Sequence, residues 1–290
     1  MYNNLKIFLS FFCIIFCGHS FGEELEKVYK TSVKTAYLNL QISEWKMAQS
    51  PRGGGGAIAE RYGSIIIATA EGRFHLLDTG SMSYRKDFLP PLYLGEDKIT
   101  ASKNINYQET LPRVHDIAFT NGKYYVSYDF YNFLDDRIYF VVSKKSELDK
   151  NWEVCYRSPA LDIPYYSLGS GGKLAIKESK LFFTVGDYSL DRINKLPSDI
   201  APQILGLPWG KVNYIDLLNG RFHSYTSGHR NPLGLLVLKT GEILETENGP
   251  QGGDELNLLI EGANYGWPYK SYGTIYGSFG KYSDYLPPER

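Results

Sequence analysis

The chain has 290 residues with 31 basic and 32 acidic side chains, a formal net charge of −1 that excludes a nucleic-acid coat and a polybasic membrane tether. Aromatic residues make up 15% and charged residues only 22%, alongside 29 glycines. This balance favours a turn-rich β protein and excludes a collagen, a coiled coil and a multi-span membrane protein. The length fits one or two domains.

Residues 1–22 read as a cleavable leader: Lys6 is the single charge, an apolar run extends from Ile7 to Cys17, and small residues follow at Ser20 and Gly22. The run is shorter than the roughly 20 apolar residues that a membrane span requires. Export with cleavage before Glu23 is therefore expected, leaving residues 23–290 as one domain with no stable membrane anchor. Beyond the leader only Cys155 remains, and one thiol forms no intrachain disulfide.

Beyond the leader, strand, tight turn and strand recur. Ala57–Ala59 and Ser64–Ala70 lead through Glu71-Gly72 into Arg73–Asp78. Val114–Phe119 passes Asn121-Gly122, a strong hairpin signal, into Tyr124–Tyr128, and Arg137–Ser143 follows. Lys173–Ile176 pairs with Leu181–Val185, Val212–Leu217 with Arg221–Tyr225, and Leu235–Leu238 with Glu242–Glu247. No helical segments separate the strands of each pair, so alternating βα units are excluded. Repeated antiparallel units in so long a chain predict a β-propeller. Two stretches read as loops: the glycine run of 50–56, either a flexible segment or a place where backbone comes close to something, and the irregular insertion 186–211, expected to lie over a functional face or to be solvent-exposed decoration.

The densest chemistry lies between Ser227 and Pro268. Arg230 supplies a permanent cation with a planar donor fork suited to carboxylates. Asn231-Pro232 and Gly249-Pro250 break strands and free carbonyls from ladder pairing. Asp254, Glu255 and Asn257 add side-chain oxygens within four residues, a donor set suited to a hard cation such as calcium. Each Pro-containing pair also reads as an ordinary turn, and Glu255 as a solvated edge charge. Other motifs carry less. The GSGGK run at 169–173 lacks the hydroxyl of a phosphate loop, and neither a paired-His zinc spacing nor G-x-S-x-G occurs.

Three motifs in order, G-H-R-N-P-x-G-L from Gly228, E-x-G-P-x-x-x-D-E-L-N-L from Glu247 and G-x-N-Y-G-W-P from Gly262, resemble the soluble glucose and aldose sugar dehydrogenases that depend on pyrroloquinoline quinone (PQQ), the glucose/sorbosone dehydrogenase family. Weaker similarity runs from Ala57 through Val185. The resemblance implies a six-bladed β-propeller, periplasmic or secreted, that oxidises a sugar at its anomeric carbon and passes electrons to an external acceptor. It implies that Arg230 and Asn231 hold PQQ and that the carbonyls of Gly249 and Pro250 bind a Ca2+ ion against the quinone. It further implies a second, structural Ca2+ site involving Asp254, Glu255 and Tyr265.

Two departures qualify the resemblance. The family's general base is a histidine preceding a G-G-R-L-type strand, and Gly169 holds that position here. Glycine accepts no proton. His75 and His223 read as packing residues and His229 as a residue that orients the R-N-P turn, so His115, beside Asp116, is the candidate substitute. Family members also continue well beyond N-Y-G-W-P, so ring closure here is expected either in an abbreviated form through the N-terminal segment or not at all, the chain being shortened. The rival expectation is a non-catalytic, calcium-stabilised propeller that binds a glycan or a protein partner.

Overall fold

The computed structural model describes residues 23–46, 56–95, 112–162, 169–190, 200–277 and 280. The predicted leader, residues 50–55 of the glycine run and residues 191–199 of the insertion lie outside them. Among the described residues the regular structure is strand, apart from 3-10 geometry at Gly169 and at Ala201–Gln203.

The chain begins with β1 (Glu23–Glu24), followed by a separate hairpin of β2 (Glu26–Lys34) and β3 (Asn39–Lys46). Four antiparallel blades follow. The first contains β4 (Gly56–Arg61), β5 (Ser64–Thr69), β6 (Phe74–Asp78) and β7 (Ser83–Leu89), with β1 added beyond β7. The second contains β8 (Val114–Thr120), β9 (Lys123–Asn132), β10 (Arg137–Ser146) and β11 (Glu153–Arg157), with the short β12 (Leu161–Asp162) also on β10. The third is β13 (Gly171–Lys177), β14 (Lys180–Val185), β15 (Lys211–Asp216) and β16 (Phe222–Ser227). The fourth has three strands, β17 (Pro232–Val237), β18 (Ile243–Glu247) and β19 (Glu255–Leu259).

Each of the five predicted hairpins falls on adjacent strands. At Asn121-Gly122 both residues have positive φ, 49° and 71°, the turn whose twist suits a two-residue hairpin. Thr120 and Lys123 close the loop in register. Gly56, at the end of the glycine run, is a close approach: a Cβ there would stand 2.7 Å from the Ala68 carbonyl oxygen. Sequence periodicity did not identify β2, β3, β7, β11 or β19. The hairpin of β2 and β3 has almost no buried face, so no apolar alternation marks it.

Successive blades pack face to face, and the core lies in the three seams. Ile66, Phe74, Val114 and Val126 fill the first seam; Phe140, Val142, Leu181 and Phe183 the second; Phe182, Val212 and Ile243 the third. Strands β4, β8, β13 and β17 lie side by side as the inner edge of the four blades. A polar clasp reinforces the first seam, where Arg61 Nε donates to the Tyr124 hydroxyl (2.7 Å) and its guanidinium pairs with Glu147. The insertion after β14 is tied down from below. Lys211 is fully buried and its ammonium donates to the carbonyls of Ala201 (3.0 Å), Pro202 (3.2 Å) and Trp209 (3.1 Å), while burial pulls its pKa down to about 8.

Phe183 is wholly buried in the second seam and stacks on Phe140 with ring centroids 5.8 Å apart. Phe183→Ala is expected to cost about 3–5 kcal/mol, read from urea unfolding, because the rigid strands around it cannot collapse into the cavity.

Candidate active site

Strand pairing brings the two motifs of the fourth blade together. Pro232, which opens β17, pairs in register with Glu247, which ends β18. Arg230 and Asn231 therefore stand beside Asn248 and Gly249 at one end of the blade. Arg230 Nη1 donates to the Gly249 carbonyl at 2.6 Å and to the Asn248 carbonyl at 3.1 Å. These are the oxygens that the strand break frees, and a cationic group already sits on them. The guanidinium also lies 5.6 Å from the Trp267 ring and 5.8 Å from the Tyr276 ring, so aromatic faces flank it. Gly249 tolerates no side chain, because a Cβ would meet the Gly253 carbonyl oxygen at 2.3 Å. Asp254 Oδ1 accepts the Gly249 N–H at 3.0 Å and so fixes the orientation of that peptide.

Beneath Arg230 lies a buried polar cluster that sequence reasoning did not assemble. Glu247 Oε2 accepts the Arg230 N–H (2.7 Å) and Oε1 lies 3.1 Å from His229 Nδ1. His229 Nε2 is 2.9 Å from Thr226 Oγ1, and the imidazole stacks on Tyr265 with centroids 4.7 Å apart. Asn257 Nδ2 donates to Glu245 (3.0 Å), Glu247 (3.1 Å) and Glu255 (3.3 Å). Burial, and after it the charge of Glu247, holds both Glu245 and Glu255 above the usual carboxylate range. The legible signal was the spacing E-T-E on a strand, which sends Glu245 and Glu247 to the same face.

The starts of the inner strands meet at the same end. The Gly171 N–H donates to Asn231 Oδ1 (3.2 Å), so this asparagine ties the opening of β13 to the opening of β17. Asp187 N–H donates to the Arg230 carbonyl (2.8 Å), and Asp187 Oδ2 accepts from Trp267 Nε1 (2.8 Å). Gly172 lies under His115, where a Cβ would come within 2.3 Å of the His115 Cβ. His115 Nε2 is 3.1 Å from Asp129 Oδ2, off the line of a good hydrogen bond. Its Nδ1 is 3.4 Å from Ser170 Oγ, and Tyr188 OH donates to Asp129 Oδ1 at 2.6 Å. Asp116, the expected partner of His115, is not one. The ladder with β9 shifts register between Val114 and Asp116, leaving His115 as the extra residue of a bulge, and the Asp116 carboxylate instead accepts the N–H groups of Ile117 (3.0 Å) and Leu174 (2.9 Å).

Of the predicted residues, Arg230, Asn231 and Gly249 come together directly, with Pro250 buried next in the chain. The three assigned to a second calcium have different contacts. Asp254 holds the Gly249 N–H, Glu255 faces Asn257, and Tyr265 OH donates to the Leu258 carbonyl at 2.6 Å. His75 is buried against Tyr84 and His223 stacks on Tyr214, both packing roles. At Gly169 a Cβ would find only ordinary contact with Asp187 and Tyr188. Space therefore does not force the glycine there.

An all-β propeller with a guanidinium seated on freed carbonyls at the opening of its inner strands defines the class of protein. Residues 120–286, more than half of the chain, match the Glucose / Sorbosone dehydrogenase family, and the chain belongs to it. Quinoprotein glucose dehydrogenase B of Acinetobacter calcoaceticus is 54% identical over 120 residues, spanning 33% of this chain and 25% of that protein. Aldose sugar dehydrogenase YliI of Escherichia coli (strain K12) is 37% identical over 67 residues, spanning 23% of this chain and 18% of that protein. The matches thus span a quarter or less of these curated relatives. Among solved structures, the apo-form of the soluble aldose sugar dehydrogenase from Escherichia coli superposes with a TM-score of 0.61 at 20% identity, covering 78% of this chain and 66% of that one. The PQQ-bound aldose sugar dehydrogenase from Streptomyces coelicolor gives a TM-score of 0.54 at 17% identity, covering 81% of this chain and 70% of that one. These two structures establish likeness of fold.

Asp187→Ala is expected to lower stability by about 2 kcal/mol, read as a shift of the urea midpoint, because Trp267 Nε1 and the Ser189 N–H lose their acceptor. Asp187→Asn keeps an acceptor oxygen and is expected to lose less.

Proposed function

We propose that this chain acts as a PQQ-dependent aldose dehydrogenase, exported to the periplasm or beyond, that oxidises a sugar at its anomeric carbon and delivers electrons to an external acceptor. The observation that carries the reading is the 2.6 Å contact between Arg230 and the Gly249 carbonyl, on the two motifs that hold the cofactor and calcium in the family. The donor set suits both groups. Arg230 supplies a fork for the carboxylates of a planar quinone acid, between the faces of Trp267 and Tyr276. The carbonyls of Gly249 and Pro250 would hold Ca2+ once the Arg230 contact on Gly249 gives way, which frees the fork for the carboxylates of the quinone. When bound, the calcium-polarised quinone supplies the two-electron acceptor.

The protein's own residues orient the sugar and move its proton. His115, in the role that Gly169 cannot fill, takes the anomeric hydroxyl proton on Nδ1, in place of its long contact with Ser170, while Asp129 beside the buried Nε2 fixes the ring. The proposal includes one calcium, at Gly249 and Pro250. It does not extend to a second on Asp254, Glu255 and Tyr265, whose side chains are engaged elsewhere. The ring we propose is six-bladed. Two more blades would cover the apolar faces now presented by Leu236, Leu256 and Leu258 on the fourth blade and by Ile58 on the first. Gly169 favours one second reading, a calcium-stabilised propeller that binds a glycan or protein partner without turnover.

Titration of the purified protein with PQQ and Ca2+ is expected to produce a bound-quinone absorbance change at micromolar cofactor, and Arg230→Ala to weaken binding at least about tenfold. Absence of any change with the intact protein would dispose of the reading. Dye-linked oxidation of aldoses is expected in the loaded protein and to fall about 10²–10⁴-fold in His115→Ala. Cofactor binding without oxidation of any aldose would establish the second reading instead.

A further inference from the structure

We propose that His229, Glu245 and Glu247 form a site for one divalent cation of the Zn2+ or Mn2+ type, buried behind the Arg230 loop and separate from the Gly249–Pro250 carbonyls. This inference does not rest on the quinone reading. One ligand atom from each residue lies within 4.8 Å of the others, and all three residues are buried. His229 Nδ1 is 3.1 Å from Glu247 Oε1 and 3.9 Å from Glu245 Oε2. Two ligand atoms on one tetrahedral ion with bonds of about 2.1 Å stand about 3.4 Å apart, a spacing these two distances bracket. The imidazole and each carboxylate thus need shifts of a few tenths of an ångström, and all three ligand atoms lie within 4.8 Å of one another.

Charge and hydrogen bonding point the same way. Two carboxylates with 1% and 6% exposure face a single imidazole, with Glu255 a third around the same Asn257 amide. Buried anions in excess of their counter-charges are costly unless a cation or protons compensate them. Glu245 Oε1 is fully buried and has no hydrogen-bond partner, whereas Oε2 of the same carboxylate accepts from Asn257 Nδ2. The outer contacts match those that orient metal ligands. Thr226 Oγ1 stands 2.9 Å from His229 Nε2, the Arg230 N–H holds Glu247 Oε2, and Asn257 holds Glu245 Oε2. In the tautomer that gives the Nε2 proton to Thr226, the Nδ1 lone pair faces Glu247 Oε1 at 3.1 Å, and a cation bound there takes the place of the Nδ1 proton. One imidazole with carboxylates suits Zn2+ or Mn2+, whereas Ca2+ prefers an all-oxygen shell.

The test uses the tag-free full chain, stripped by chelator and titrated with Zn2+ and, as a spectroscopic probe, Co2+. One Co2+ per chain is expected, with a visible absorbance that Zn2+ abolishes and excess Ca2+ does not, together with a rise in Tm on adding Zn2+. Glu245→Gln is expected to weaken Zn2+ binding at least about tenfold. Its chelated form should unfold no earlier than the chelated wild type, because the variant buries one charge fewer. His229→Gln, a second variant, should lose the Co2+ spectrum. A wild-type chain that binds neither Co2+ nor Zn2+ at micromolar concentration would overturn the proposal and leave a proton-sharing cluster. So would unchanged binding in the variants. If Glu245→Gln fails to fold, the wild-type spectrum and its displacement by Zn2+ decide the question.

Discussion

The carboxylate of Glu247 is the constraint on which the candidate site depends. One oxygen holds the Arg230 N–H and the other faces His229, while the backbone of Glu247 pairs with Pro232. A buried carboxylate with both oxygens engaged holds its neighbours firmly, since moving any of them exposes an unpaired charge to a low-dielectric interior. Arg230 is thereby fixed at its base, and its guanidinium reaches the carbonyls of Asn248 and Gly249 without a search through rotamers. Pre-organisation of this kind is what a binding site requires, because ordering an arginine on binding would otherwise cost affinity.

Glycines permit the inner strands to come together where the site forms. Gly186 lies so close to the Gly169 carbonyl that a Cβ would stand 1.9 Å from it, and Gly172 leaves the space that His115 fills. These contacts let the openings of β8, β13 and β17 crowd into one region, with Asn231 and Asp187 as cross-links between blades. A side chain at any of these positions would push the blades apart and separate the imidazole of His115 from the guanidinium of Arg230.

Much of this was legible in the sequence, and the limits have physical causes. The hairpin grammar located the paired strands because a tight turn between two apolar runs is a local signal, as at Asn121-Gly122. The Arg230 and Gly249 motifs were legible through the strand-breaking prolines beside them. The strand β19 was hidden because its residues are read equally well as oxygen donors: Glu255 and Asn257 lie on a strand, and they face partners brought by β18. The partnership of His115 with Asp129 was hidden for another reason. Asp129 lies on the neighbouring strand, and adjacency in the chain pointed to Asp116, whose carboxylate is taken up by the Ile117 and Leu174 N–H groups beyond a bulge at His115.

The two histidines closest to the chemistry illustrate how burial assigns roles. His229 has partners on both nitrogens and a tyrosine ring across its face, so it is held in place and acts through what it positions. His115 is held more loosely: its contact with Asp129 is poorly aligned, and that with Ser170 is long at 3.4 Å. Such incomplete satisfaction leaves a lone pair that a fully bonded imidazole lacks, which is what the proposed role as base requires. The same criterion distinguishes Glu245 from Glu247. Both oxygens of Glu247 have partners, whereas Glu245 keeps one buried oxygen with none, so Glu245 is where the cluster has room for one more positive partner.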